Sequence, residues 1–166
     1  MEQGGSLDRA LRAAYRFLAV RDRSERELRT MLAGKGFGKA ERETVLAKLR
    51  EQGYLDDASF AGKWARNLAV NRLLGNLRIE MSLREKGIAE NAAREAVARA
   101  RRELGEEEAI GRLIEGWMKG RKLSALDERE KRRFFQRLAA RGFPAGLIYG
   151  LIKNRQGELR HDDDGE

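Results

Sequence analysis

Two kinds of residue in this sequence are equipped to do chemistry: a pair of adjacent carboxylates and several stripes of arginine. The pair is Asp56-Asp57, at the end of the string Gly53-Tyr54-Leu55-Asp56-Asp57, with Phe60 following. Paired carboxylates can hold Mg²⁺ or divide acid and base roles between them. A metal site ordinarily recruits further oxygen ligands, whereas a helix starting behind the pair accounts for both. Their oxygens accept from free amides and oppose the positive end of the helix dipole. Tyr54, Leu55 and Phe60 then read as packing between the first repeat and the second.

The arginines are spaced for one helix face. Arg9, Arg12 and Arg16 fall together, opposite Leu7, Leu11 and Leu18. Arg129, Arg133 and Arg137 do the same further on, with Arg141 at the edge and Phe134, Phe135 and Leu138 on the other side. Arg78 and Arg84 add charge between the two stripes. A charge run is often only a solvated face. Here, Glu130 excepted, acids are not interleaved among the arginines, and that pattern fits a polyanionic partner. Lys35, Lys86 and Arg141 each stand just before a glycine, where a base either meets a partner or stabilises the negative end of a helix. Trp64 and Trp117 have faces that could stack on nucleobases, but both lie on apolar helix faces, which favours core packing.

Composition closes off other chemistries. Among 166 residues there is no cysteine, so no disulfide framework, thiol nucleophile or zinc knuckle is available. The one histidine, His161, lies in a polar tail. No cofactor-binding pattern and no catalytic constellation is present, so a binding protein is expected rather than an enzyme. The net charge of +8 is unevenly spread. Residues 158–166 hold five acids and one base, which leaves 34 bases against 22 acids, a net +12, in residues 1–157. No apolar run approaches the ~20 residues of a membrane span, and no secretory signal opens the chain, so the cytoplasm is the expected location.

The elements that must position these residues are helices. Apolar residues recur at three and four almost everywhere, with few β-branched residues and a single proline. About nine segments are expected. Ser6 starts the first. Ser24 with Glu27 makes a capping box for the second, and the third carries Val45, Leu46 and Leu49. The fourth carries Phe60, Trp64 and Leu68, and the fifth Leu77, Ile79 and Leu83. The sixth runs from about Ala89 to Leu104, and the seventh follows Gly105. Asp127 with Glu130 opens the eighth, and Pro144 occupies a first helical position of the ninth.

An internal repeat organises these segments. Leu32-Ala33-Gly34-Lys35-Gly36-Phe37, Leu83-Arg84-Glu85-Lys86-Gly87-Ile88 and Leu138-Ala139-Ala140-Arg141-Gly142-Phe143 share one pattern: leucine, three residues ending in a base, glycine, and a large apolar residue. Glycine there ends a helix in the left-handed conformation, and the apolar residue folds back onto it. The expected fold is all-α, an elongated stack of three tandem three-helix repeats at 6–53, 54–104 and 105–154. Residues 1–5 form a disordered N-terminus and 155–166 a polar acidic tail. Units of this size bury little alone and gain stability from their neighbours.

Taken in order and spacing, these strings resemble the RecX family of regulatory proteins. The likeness runs from about Leu7 to Lys153, through Asp22-Arg23-Ser24-Glu25, Gly53 to Asp57, Leu83 to Ile88 and Lys131 to Phe143, and is strongest from Gly53 to Ile88. The resemblance implies a cytosolic, monomeric, non-enzymatic protein. Such a protein binds the RecA filament on single-stranded DNA, lies in its helical groove, and lowers ATP hydrolysis and strand exchange. It thereby modulates recombination, DNA repair and the SOS response. Two other classes remain open: a protein that binds DNA or RNA directly, and a helical protein–protein adaptor. The residues expected at the partner surface are Arg9, Arg12, Arg16, Arg78, Arg84, Lys86, Arg129, Arg133, Arg137 and Arg141.

Overall fold

A computed structural model describes residues 2–122 and 125–157, with side chains from Gly5 to Lys153. The acidic tail and His161 lie outside the described residues. Among these there are nine α-helices and no strand: α1 (Glu2–Val20), α2 (Glu25–Gly34), α3 (Lys39–Glu51), α4 (Asp57–Arg66), α5 (Asn76–Glu85), α6 (Glu90–Arg101), α7 (Glu106–Met118), α8 (Glu128–Ala140) and α9 (Ala145–Gly157).

The helix ends follow local chemistry. Ser24 caps α2, its hydroxyl accepting from the Glu27 amide while the Glu27 carboxylate accepts from the Ser24 amide; Asp127 and Glu130 make the same reciprocal box at α8. Gly36, Gly87 and Gly142 all have positive φ, at 85°, 82° and 90°. After each, the next amide reaches back to the same carbonyl of the ended helix: Phe37 to Leu32 at 3.3 Å, Ile88 to Leu83 at 3.1 Å and Phe143 to Leu138 at 3.3 Å. This repeated closure satisfies carbonyls that a helix end would otherwise leave free.

Four details depart from the sequence expectation. Helix α1 begins at Glu2 rather than Ser6, so residues 2–5, expected outside the fold, are helical backbone; Gly4 and Gly5 weaken a helix without breaking it. Helix α4 ends at Arg66 and continues as a π-helical turn over Asn67–Asn71, which places Leu68 off the α-period. Leu77, expected in the core, is 59% exposed, because Ile79 and Leu83 define the inward face of α5. Tyr54, expected as packing, is 60% exposed and meets Tyr15 edge-on at 5.4 Å; Leu55 and Phe60 are buried.

The chain divides into two compact units, Met1–Trp64 with Ser82–Ala96, and Ala65–Met81 with Val97–Glu166. The first unit packs α1 on α2 and α3. Its core joins Ala10, Ala13 and Ala14 to Leu28, Leu32, Val45, Leu46, Leu49 and Leu55, with Phe37 folded against it. Small residues in α1 let the three helix axes approach closely. The second unit packs α8 and α7 on α9. Its core is larger-residued, with Ile110, Leu113, Ile114, Met118, Leu138, Phe143 and Ile148 at the centre.

Candidate interaction surfaces

In the first unit, the carboxylate pair is occupied by backbone. Asp56 Oδ1 accepts from the Ser59 amide at 2.9 Å and caps its own helix. Asp57 Oδ1 accepts instead from the Glu25 amide at 2.8 Å, so it serves the start of α2. Burial pushes the Asp57 carboxyl up, against that hydrogen bond. Among the described residues no group of three or more His, Cys, Asp or Glu side chains could hold a metal ion. Both carboxylates cap helix starts, but of two different helices.

Lys86, expected at the partner surface, is built into the unit. Its Nζ lies 2.6 Å from Glu27 Oε1 and 4.2 Å from the centroid of Trp64, and each side chain of the ion pair is only 17% exposed. Trp64 stacks on Phe60 at 5.8 Å, and its indole N–H donates to Ser82 Oγ at 3.0 Å. Ser24, fully buried, donates its hydroxyl to the Lys86 carbonyl at 2.7 Å. Burial by itself would raise the Glu27 carboxyl. Hydrogen bonds from Arg21, Lys86 and the Ser24 amide outweigh it and hold the group down at about 2. A cation here balances a carboxylate and covers an indole, which leaves little of it for a partner.

The remaining expected cations of this unit are open. Arg9, Arg12 and Arg16 on α1 and Arg84 on α5 are exposed, and none forms an ion pair among the described residues. Ala10, Ala13 and Ala14 lie buried on the opposite face of α1. The α1 stripe is thus a row of guanidinium groups in water, as its spacing predicts.

In the second unit, the arginines divide again. Arg141 donates from Nη1 to the Arg72 carbonyl at 2.8 Å, and the Gly75 amide donates to the Arg141 carbonyl at 2.9 Å. It therefore pins the loop ahead of α5 and is not a free contact. Arg137 is exposed, as expected, and its guanidinium also lies 3.9 Å from the centroid of Trp117. Arg78, Arg129 and Arg133 are exposed, and make no ion pair among the described residues. Arg133, Arg137, Trp117, Phe134 and the Arg121–Glu130 ion pair line an open cleft of about 480 Å³ between α7 and α8.

Several residues that shape these surfaces escaped the sequence reading. Arg101 donates to the Leu74 carbonyl at 2.6 Å and to Asn76 Oδ1 at 2.6 Å, and burial pushes its guanidinium down. Glu106 accepts from the Asn76 amide at 2.7 Å and so caps α5 from a distance. No local signal marks either one, because each acts on a loop about thirty residues away in sequence. Arg121, Arg132 and Tyr149 also border these surfaces; in the sequence Arg132 is visible as the neighbour of Arg133, and Tyr149 as an aromatic one helical turn before Lys153.

Comparison with known proteins places this geometry. Residues 10–49 match the family described as RecX, first three-helix domain, and residues 56–97 match RecX, second three-helix domain. The chain is 35% identical over 153 residues to the regulatory protein RecX of Amycolatopsis mediterranei, covering 92% of this chain and 84% of that protein. It is 34% identical over 149 residues to the RecX of Halorhodospira halophila, covering 89% of each. The fold is similar to the crystal structure of RecX from Lactobacillus salivarius, with a TM-score of 0.78 at 21% identity, over 92% of this chain and 98% of that one.

Proposed function

This chain belongs to the RecX family of regulatory proteins, and from that membership we propose that it binds the RecA filament on single-stranded DNA and lowers its ATP hydrolysis and strand exchange. It acts by occupying a surface rather than by chemistry. The observation that supports this reading is the set of arginines left in water: Arg9, Arg12 and Arg16 in one unit, and Arg129 and Arg133 in the other. Exposed guanidinium groups without carboxylate partners are suited to phosphates and acidic side chains, which they meet in a bidentate manner. Lys86 and Arg141 support those surfaces from within, Arg137 adds an exposed guanidinium beside Trp117, and the three glycine-capped repeats at 6–53, 54–104 and 105–154 are the units that carry them.

The test is a DNA-dependent ATPase assay of RecA on single-stranded DNA with this protein titrated in. Hydrolysis should fall at substoichiometric to equimolar ratios. Unchanged hydrolysis with both proteins folded would remove the proposal.

A further inference from the structure

A second groove in the C-terminal unit lies on the other side of α8 from the Trp117 cleft. It has a volume of about 560 Å³ and is lined by Phe135 and Gln136 of α8 and by Tyr149, Ile152 and Lys153 of α9, with Glu128, Lys131 and Arg132 at its edge. The Tyr149 ring lies 4.6 Å from that of Phe135, tilted by 40°. One face of the tyrosine is thus backed by protein, yet the residue is 64% exposed. An exposed aromatic of this size has no role in the core beside it, which is closed by Leu138, Phe143 and Ile148.

The charges around it are of one dominant sign. Lys131 pairs with Glu128 at 2.7 Å, but Arg132 and Lys153 are exposed and make no ion pair among the described residues. Both stand one helical turn from the aromatic pair, Arg132 three residues before Phe135 and Lys153 four residues after Tyr149. An open ring face flanked by unpaired cations is the arrangement that holds a single nucleic-acid strand: the base stacks on the ring and its phosphates meet the cations. We infer that the α8–α9 groove binds single-stranded nucleic acid directly, with one base on Tyr149 and the adjoining phosphates on Arg132 and Lys153.

The chemistry favours a strand over the other polyanions. A duplex keeps its bases stacked on one another and offers none to Tyr149. An acidic peptide would satisfy the cations but leave the ring face without a planar partner. Direct strand binding requires no recombinase, so it stands or falls apart from the regulatory reading above.

The test is fluorescence anisotropy of a labelled oligothymidylate with the full-length protein and no recombinase present. Tyr149→Ala should weaken binding about tenfold, as loss of one stacked base does, and Tyr149→Phe should restore most of it. Arg132→Ser with Lys153→Ser should weaken binding and flatten the slope of log affinity against log salt by about 1.4, or ~0.7 per lost contact on a single strand. Duplex of the same length should bind more weakly than the single strand, and should not respond to Tyr149→Ala. Circular dichroism melts serve as the folding control, since all three side chains are exposed. Equal binding by wild type and Tyr149→Ala overturns the stacking site. So does equal affinity for duplex and strand, or displacement of the strand by polyglutamate with the same dependence on Tyr149.

Discussion

Each of the two compact units sets a cation over a tryptophan, and they do it to different ends. In the first, Lys86 lies 4.2 Å from the Trp64 centroid, held from the other side by Glu27, while the indole N–H is taken by Ser82. Every polar group has a partner, and the cluster is closed. In the second, Arg137 lies 3.9 Å from Trp117 with no carboxylate bound to it among the described residues, and the pair borders an open cleft. The difference lies in what the cation balances. A half-buried ion pair ties three helices' worth of chain together, because removing either charge strands the other away from water. An arginine lying on a ring at the surface adds little to stability, and its remaining donors stay available.

The sharpest way to break this comparison is to remove both cations. Lys86→Ala should cost about 3 kcal/mol, since it leaves the confined Glu27 carboxylate one charge short, with Arg21 and the Ser24 amide as its remaining partners. Arg137→Ala should cost less than about 1 kcal/mol. Denaturant titration of the two variants side by side decides it; equal losses would show that the clusters are equivalent after all.

Glycine caps sharpen the contrast between closed and open sites. A Cβ at Gly142 would lie 2.5 Å from the Arg78 amide nitrogen, whereas one at Gly36 would meet nothing within 4 Å. Both positions have similarly positive φ, so alanine pays the left-handed strain at each. Gly36→Ala should therefore cost about 1 kcal/mol, and Gly142→Ala about 2 kcal/mol more because backbone must move. Thermal melts that fall by the same amount would mean that the Arg78 backbone yields without cost.

Acid should find the first unit's cluster. Glu27 is held at about 2 in the folded chain, below its ordinary 4.5. A depressed carboxyl contributes its full stabilisation above pH ~4.5 and loses it as the pH falls toward 2. The loss should amount to about 2 kcal/mol. Asp57, raised by burial, works in the opposite direction and offsets part of it. Denaturation midpoints at pH 6 and pH 2.5 for wild type and Glu27→Gln measure the effect; the gap between the two proteins should shrink at the lower pH. A gap that stays constant would show that Glu27 is not ionised differently on folding.

The smallest expected effect on stability is the most informative for function. Arg133→Ser with Arg129→Ser should leave the melt within about 0.5 kcal/mol of wild type, since both are surface charges. The same change should weaken inhibition of RecA ATP hydrolysis. Matched losses from Arg12→Ser with Arg16→Ser would indicate contact by both units, and loss from one pair alone would assign the contact to that unit. An undiminished inhibition by both double variants would reduce the arginine stripes to solvated faces.

The helical period, the two capping boxes and the three glycine closures could be read directly from the chain, because each depends on residues within about six positions of one another. So could the exposure of Arg9, Arg12 and Arg16, which follows from the burial of the opposite face of one helix. The family was legible too, in strings whose order and spacing recur. The sequence by itself therefore determined that the chain is helical, where the capped and glycine-closed ends fall and which face of most helices is apolar. Tertiary structure alone decided what each cation does. Lys86 meets Glu27 across 59 positions, and Arg141 meets the Arg72 carbonyl across 69. Lys86, Arg137 and Arg141 look like Arg133 in sequence, each a base on a helix or just past its end. Partners supplied by distant segments draw Lys86 and Arg141 inward, lay Arg137 on a ring at the surface and leave Arg133 in water. Local spacing fixes the direction in which a side chain leaves its helix, but its partner and its solvent come from whatever the rest of the chain brings there.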